Sequence, residues 1–128
     1  MVELDLAKFT EQVFACKTVE QLNEPIIDGK TLLQSAASQG FIRHCQAVID
    51  KAKLLQEVEA VVDCRAGAAH KFWTPLFFAI NSGPNGHPDV VSMLLKYKCQ
   101  VNQGDADGKT ALNCASEFGQ DDTIELLL

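Results

Sequence analysis

Histidine and cysteine are the side chains of this 128-residue chain that could bind a metal or serve as nucleophile and base. His44, His70 and His87 are far apart, and their spacing matches neither a zinc site nor a catalytic constellation. The nearest mixed pair, Cys64 with His70, has no third member, and we interpret it as a chance association. Phosphate-binding loops of the GxxxxGKS/T or GxGxxG type do not occur. The sequence therefore predicts no enzyme, no cofactor and no small-molecule substrate.

The cysteines are odd in number, widely spaced and without a CxxC pair. They are Cys16, Cys45, Cys64, Cys99 and Cys114. This usage argues against a disulfide framework and predicts a reducing compartment. Cys45 and Cys114 fall at apolar helical positions, where a thiol packs as a small hydrophobe.

Composition and charge exclude several classes of function. The chain is 47% hydrophobic and 22% charged, as expected for one globular unit, and its net charge of −6 comes without any basic run that could follow a nucleic acid. No apolar stretch approaches the roughly 18 to 20 residues that membrane insertion needs. Glu3 lies where a secretory signal would carry cations. We expect a protein of the cytoplasm, or of the nucleus.

The elements that position the remaining side chains repeat three times. Thr31, Thr74 and Thr110 each precede a leucine and small residues at helical spacing. Threonine can cap a helix, Pro75 fits a first helical position, and a left-handed glycine can end each segment. These glycines are Gly40, Gly83 and Gly119. Second helices are predicted from Ile42 onward, over 89–95 and over 122–128.

In order, these features resemble the ankyrin repeat: a Thr-Pro-Leu-His-x-Ala-Ala-x-x-Gly helix, an Ile/Val-x-x-Leu-Leu helix, then Gly-Ala-Asp-Val-Asn. The resemblance covers residues 28–128. It implies an all-α repeat fold, a solenoid of helix-turn-helix units joined by hairpin-like turns. The predicted repeats are 28–73, 74–109 and 110–128, and the last is either truncated or the C-terminal repeat. Residues 1–27 are predicted to form a pair of helices that closes the N-terminal end of the stack. Thr18 is the predicted N-cap of the second of these helices.

Departures from the family pattern carry expectations of their own. Gln34, Phe77 and Asn113 replace the family's histidine, so the usual side-chain bond between turn and neighbour must be missing or remade. Lys98 occupies the helix-ending glycine position, which predicts a strained left-handed residue or a different turn.

The first repeat has ten extra residues, and its apolar positions keep helical spacing as far as Val62. We predict a second helix extended by roughly 15 Å. The alternative is a shorter helix followed by an inserted loop around 65–71. The apolar end Leu126-Leu127-Leu128 favours a segment cut from a longer protein over a small free-standing one.

The resemblance implies that a partner protein binds at the turn tips and the inner face of the first helices. Matching positions are Ile27, Asp28, Lys30, Ser38 and Gln39 in the first repeat, Lys71, Phe72, Trp73, Asn81 and Ser82 in the second, and Ala106, Asp107, Lys109, Glu117 and Phe118 in the third. Trp73 is the hypothesised anchor, because Trp is enriched at interface hot spots. The alternative is that Trp73 or Phe72 packs beneath the extended helix.

Acidic residues concentrate in the third repeat, at Asp105, Asp107, Glu117, Asp121 and Asp122. They suggest an edge that would steer a basic peptide, or simply a solvated surface. The resemblance also implies that Asn102 matches a hairpin asparagine that is a hydroxylation target in this family. The alternative is that the Asn102 side chain only forms a hydrogen bond within its own turn.

The predicted function is a module that recruits or regulates another protein. Two alternatives remain open. One is an intramolecular regulatory domain of a larger enzyme or channel, and the other is a free-standing inhibitor.

Overall fold

The computed structural model describes residues 5–25, 28–83 and 85–128, and every regular element in these ranges is helical. The helices are α1 (Leu6–Ala15), α2 (Val19–Leu22), α3 (Leu32–Gln39), α4 (Ile42–Leu54), α5 (Val58–Val62), α6 (Pro75–Ile80), α7 (Pro88–Lys96), α8 (Ala111–Phe118) and α9 (Asp121–Leu127), with a 3₁₀ turn at Ala68–His70. The predicted all-α fold is confirmed.

Two layers of helices build the stack. In the inner layer α3 packs on α6 and α6 on α8, while in the outer layer α4 contacts α7 and α7 contacts α9. Ala36, Ala79 and Ala115 are completely buried between the layers. Their small side chains let each inner helix lie close to its outer partner, as the repeat signature predicts.

Local capping chemistry explains where two of the inner helices begin and end. Thr31 and Gln34 form a reciprocal capping box on α3, and Thr110 forms the same box on α8. Gly40 and Gly119 end these helices at φ of 71° and 65°. These predictions are confirmed.

The middle inner helix follows different rules. Pro75 is its first residue, as predicted, but the Thr74 side chain makes no capping bond. The residue that would close the box there is Phe77, which has no side-chain oxygen. Gly83 does not end α6 either, because the helix stops at Ile80.

The single long helix predicted for the first repeat is wrong. Helix α4 ends at Leu54, and Gln56 turns the chain in a left-handed conformation at φ 60°. Helix α5 then folds back, which buries Val61 and Val62. The apolar spacing continues past the break because α5 also faces the core, so the extra residues pack against the stack instead of projecting from it.

The N-terminal helices pack beside the first repeat. Phe9 and Val13 of α1 are buried against α4, and α2 contacts both α4 and α5. Thr18 caps α2 as predicted, although the Gln21 side chain returns to the amide of Lys17 rather than to that of Thr18. That this pair closes the stack, and where the repeats divide, remain predictions.

Candidate partner-binding surface

The turn before α6 presents two consecutive residues in a strained backbone conformation. Lys71 and Phe72 have φ of 54° and 57°, in the left-handed region that costs non-glycine residues about 1 kcal/mol or more. Their amides donate to the carbonyls of Ala68 and Gly67, and the amide of Ala66 donates to Trp73 across the base of this hairpin-like turn. Phe72 is 42% exposed at the tip.

Trp73 packs against helix α6 and is only partly buried. Its indole ring is stacked with Phe77 at 6.5 Å and meets Phe78 edge-on at 5.4 Å. Its N–H donates to Asp105 Oδ2 at 3.2 Å. These contacts are with α6 and the next turn, whereas the alternative interpretation had placed Trp73 beneath an extended α4.

Direct bonds connect the tip of this turn to the tip of the next one. The amide of Ala106 donates to the Lys71 carbonyl at 2.9 Å, and Lys71 Nζ lies 3.2 Å from Asp107 Oδ2. Asp105 accepts hydrogen bonds from the amides of Asp107 and Lys109. The predicted tip residues Lys71, Phe72, Asp107 and Lys109 are therefore brought together along one edge.

Asp105 is the acceptor at the centre of this connection. Desolvation opposes its charge, but hydrogen bonds from Trp73 and from the amides of Lys109 and Asp107 outweigh it and lower its pKa below the usual aspartate range. The carboxylate consequently stabilises the paired turns in its ionised form.

The proposed acidic edge is partly neutralised from within. Asp107 pairs with Lys71, and Glu117 pairs with Lys109 at 2.9 Å. Asp122 lies elsewhere, lining an open depression of about 430 Å³ between α7 and α9 together with Asp89 and Glu125. The five acids do not form one continuous negative surface.

Two histidines, from the turns before and after α6, bond to α3 and to the turn before it, in place of the family's missing histidines. His70 Nε2 donates to the Asp28 carbonyl at 2.8 Å, and His87 Nε2 donates to the Ser38 carbonyl at 3.2 Å. The buried Gln34 amide donates to the Cys64 carbonyl at 2.8 Å. The bond expected to be missing or remade is thus remade, and sequence reasoning had given neither histidine this role.

The inner helices contribute a mostly polar strip beside the tips. Ser38 and Asn81 are half-buried and donate to carbonyls of their own helices, and Gln39 is also half-buried. Lys30 lies over the Phe78 ring at 5.7 Å, and Phe118 is 44% exposed. Asn102 is exposed in the turn between α7 and α8, and Ile27 lies outside the described residues.

The reactive side chains lie in surroundings that suit packing. Burial raises the pKa of Cys45 and of Cys99 to about 12. His44 is buried between the rings of Phe9 and Phe41, at 4.7 and 4.9 Å. Among the described residues no group of three His, Cys, Asp or Glu could hold a metal ion, and no helix is long and apolar enough to cross a membrane.

The chain is similar to known proteins both in sequence and in fold. A family model described as ankyrin repeats (3 copies) matches residues 51–128. The chain is 38% identical over 101 residues to the human (Homo sapiens) transient receptor potential cation channel subfamily A member 1, covering 79% of this chain but only 8% of that protein. The crystal structure of EF0377, an ankyrin repeat protein, matches with a TM-score of 0.69 at 20% identity, over 92% of this chain and 55% of that one. That second likeness concerns the fold alone.

Proposed function

The chain belongs to the ankyrin-repeat family, and from this premise we propose that it binds a segment of another protein along the edge formed by its turn tips. The contact would centre on Phe72 and extend over Lys71, Asp107 and Lys109. The polar strip of α3, α6 and α8 would line its side, including Ser38, Gln39, Asn81 and Glu117.

The observation that carries the proposal is the presentation of Phe72. An exposed aromatic in a left-handed conformation is unfavourable twice over, since it combines backbone strain with apolar area in water. The bonds from Lys71 to Ala106 and Asp107 hold the tip in place without covering the ring. A pre-positioned ring loses little conformational entropy when it binds, which suits an interface anchor.

The proposed anchor is therefore Phe72, in place of the Trp73 that the sequence suggested. The Trp73 indole already has its ring contacts and its N–H partner within the stack. The proposed partner segment offers an apolar side chain to Phe72. A basic residue beside it would compete with Lys71 for Asp107.

The test compares two phenylalanines of similar exposure in different places. Phe72→Ala removes the proposed anchor, and Phe14→Ala removes a ring that is 46% exposed on α1. Proteins that bind the wild type are recovered by cross-linking and mass spectrometry, and the dissociation constant of each is then measured for both variants. We expect Phe72→Ala to weaken binding by about tenfold or more, as for a hot-spot aromatic, and Phe14→Ala by less than about twofold.

Unchanged affinity in Phe72→Ala, or equal loss in both variants, would refute the proposed edge. Circular dichroism melts of both proteins guard against loss of fold as the cause.

A second candidate function rests on the similarity to the transient receptor potential cation channel protein. There the repeats would regulate a larger polypeptide by binding a segment of it. In the full-length protein, a photo-cross-linker at position 72 would then label the same chain, whereas recruitment of another protein would give cross-links between chains.

A further inference from the structure

The outer layer carries a second feature, around the only tyrosine of the chain. Tyr97 follows α7, and the Lys53 ammonium from the end of α4 lies 4.6 Å from its ring centroid. The Lys96 ammonium lies 5.6 Å from the same centroid. Both lysines are thus drawn to one aromatic ring by cation–π attraction.

The hydroxyl of Tyr97 is held as well. Gln46 Nε2 lies 3.4 Å from it and donates a hydrogen bond. Hydrogen bonds from Lys53 and then Gln46 lower the pKa of Tyr97 below the usual tyrosine value. Lys53 and Lys96 at the ring and Gln46 at the hydroxyl thus meet at one tyrosine.

An exposed leucine follows Lys53 in the sequence, and a third lysine follows Tyr97. Leu54 is 70% exposed, although it is a large apolar residue at the end of a helix. Lys98 is exposed and left-handed at φ 62°. We call these residues together the Tyr97 patch, which consists of Lys53, Leu54, Lys96, Tyr97 and Lys98.

The patch is positively charged although the chain as a whole is acidic, with 17 acidic and 11 basic residues. The ion pairs found among the described residues are Lys71–Asp107 and Lys109–Glu117, and neither includes a lysine of the patch, although the Asp50 carboxylate acts on Lys53 through its charge. The neighbouring Asp50 accepts a hydrogen bond from the Gln46 amide at 2.8 Å. The patch is a local cationic surface with an apolar residue at its rim.

We propose that the Tyr97 patch docks an acidic segment of a partner protein, with carboxylates over the three lysines and an apolar side chain on Leu54. Charge complementarity favours a short acidic peptide over a polyanion. A membrane surface or a nucleic acid would bring extended negative charge against a protein of net charge −6. Lysine, unlike arginine, also lacks the fork that binds phosphate bidentately. This surface is separate from the Phe72 edge, so the two proposals can fail independently.

The experiment uses a fluorescein-labelled synthetic peptide of glutamates with leucines at helical spacing, followed by anisotropy. The test variant is Lys53→Gln with Lys96→Gln. Its matched control is Lys8→Gln with Lys17→Gln, which removes the same charge from exposed lysines at the N-terminal helices. We expect about tenfold weaker binding in the test variant, from two surface charge contacts of a few-fold each, and less than about twofold in the control.

The position of the bound peptide is tested by fluorotyrosine labelling, which gives a single fluorine resonance, from Tyr97. Peptide binding should shift this resonance, Leu54→Ser should weaken binding, and raising salt from about 0.05 M to about 0.5 M should abolish it. The proposal is overturned if the wild type does not bind the peptide, if both double variants weaken equally, or if the fluorine resonance stays in place. Binding to phosphatidylserine vesicles or single-stranded DNA without binding to the peptide would overturn it too.

Discussion

Replacing Trp73 by alanine should destabilise the stack, whatever it does to partner binding. Removal of a fully buried tryptophan costs about 3–5 kcal/mol, and a partly buried ring should cost about 2 kcal/mol. Loss of the N–H donor to the Asp105 carboxylate adds about 0.5–1 kcal/mol, because the acceptor is still partly hydrated. The total is about 2.5 kcal/mol, and at about 4 °C per kcal/mol the thermal midpoint should fall by about 10 °C.

Four variants followed by circular dichroism separate these terms: Trp73→Phe, Phe72→Ala, Asp105→Asn and the Trp73→Phe, Asp105→Asn double variant. Trp73→Phe keeps most of the ring but removes the donor, so its midpoint should fall by about 2–4 °C. Phe72→Ala changes the adjacent aromatic, whose ring is 42% exposed, and should cost less than about 1 kcal/mol. A double-mutant cycle between Trp73→Phe and Asp105→Asn should give a coupling of about 0.5–1 kcal/mol.

A midpoint for Trp73→Ala within about 2 °C of the wild type would refute this reasoning. The indole would then contribute nothing to the stack, and Trp73 would return as the candidate anchor. Zero coupling in the cycle would instead show that the bond to Asp105 contributes nothing in solution.

Two further predictions concern backbone strain and pH. Lys98→Gly should stabilise the protein by about 0.5–1 kcal/mol in chemical denaturation, since glycine relieves the left-handed strain at φ 62°. Gly40→Ala should destabilise it, because the added Cβ would clash with the His87 ring. Equal effects at the two sites would contradict this reasoning. The lowered pKa of Asp105 means that its ionised form contributes stability at neutral pH, which is lost as pH falls through the folded-state pKa. The difference in unfolding free energy between wild type and Asp105→Asn should therefore shrink between about pH 7 and about pH 3, and a difference that does not change with pH would contradict the assignment.

The sequence predicted those parts of the fold that short-range chemistry decides. Thr31 with Gln34 three residues later is a local pair, and Gly40 ends the same helix because glycine accepts a left-handed conformation easily. The break in the first repeat had no such signal. Glutamine does not favour a left-handed conformation, so the residue type of Gln56 gives no sign of the turn. The burial of Val61 and Val62 depends on helices distant in the sequence.

At the candidate surface the sequence predicted Trp73 as the anchor, whereas the structure gives Trp73 contacts within the stack and leaves Phe72 exposed. A signal was present, because Phe77 follows Trp73 by four residues and replaces a polar family position. A phenylalanine there leaves the turn without a hydrogen-bonding side chain and offers a ring instead. Trp73 stacks on that ring, while its N–H reaches the next turn. Phe72, one position earlier, has no such neighbour to cover it.

Bonds to the two neighbouring turns hold the turn that carries Lys71 and Phe72, so its conformation depends on the turns on both sides of it. His70 connects the turn before α6 to Asp28 in the turn before α3, and Lys71 connects it to Ala106 and Asp107 in the turn before α8. Because the turn is held from both sides, the strain at Lys71 and Phe72 need not relax by local rearrangement. Substitution of His70, which lies outside the proposed contact, should therefore alter affinity for the proposed partner through the orientation of Phe72 without removing a contact with that partner.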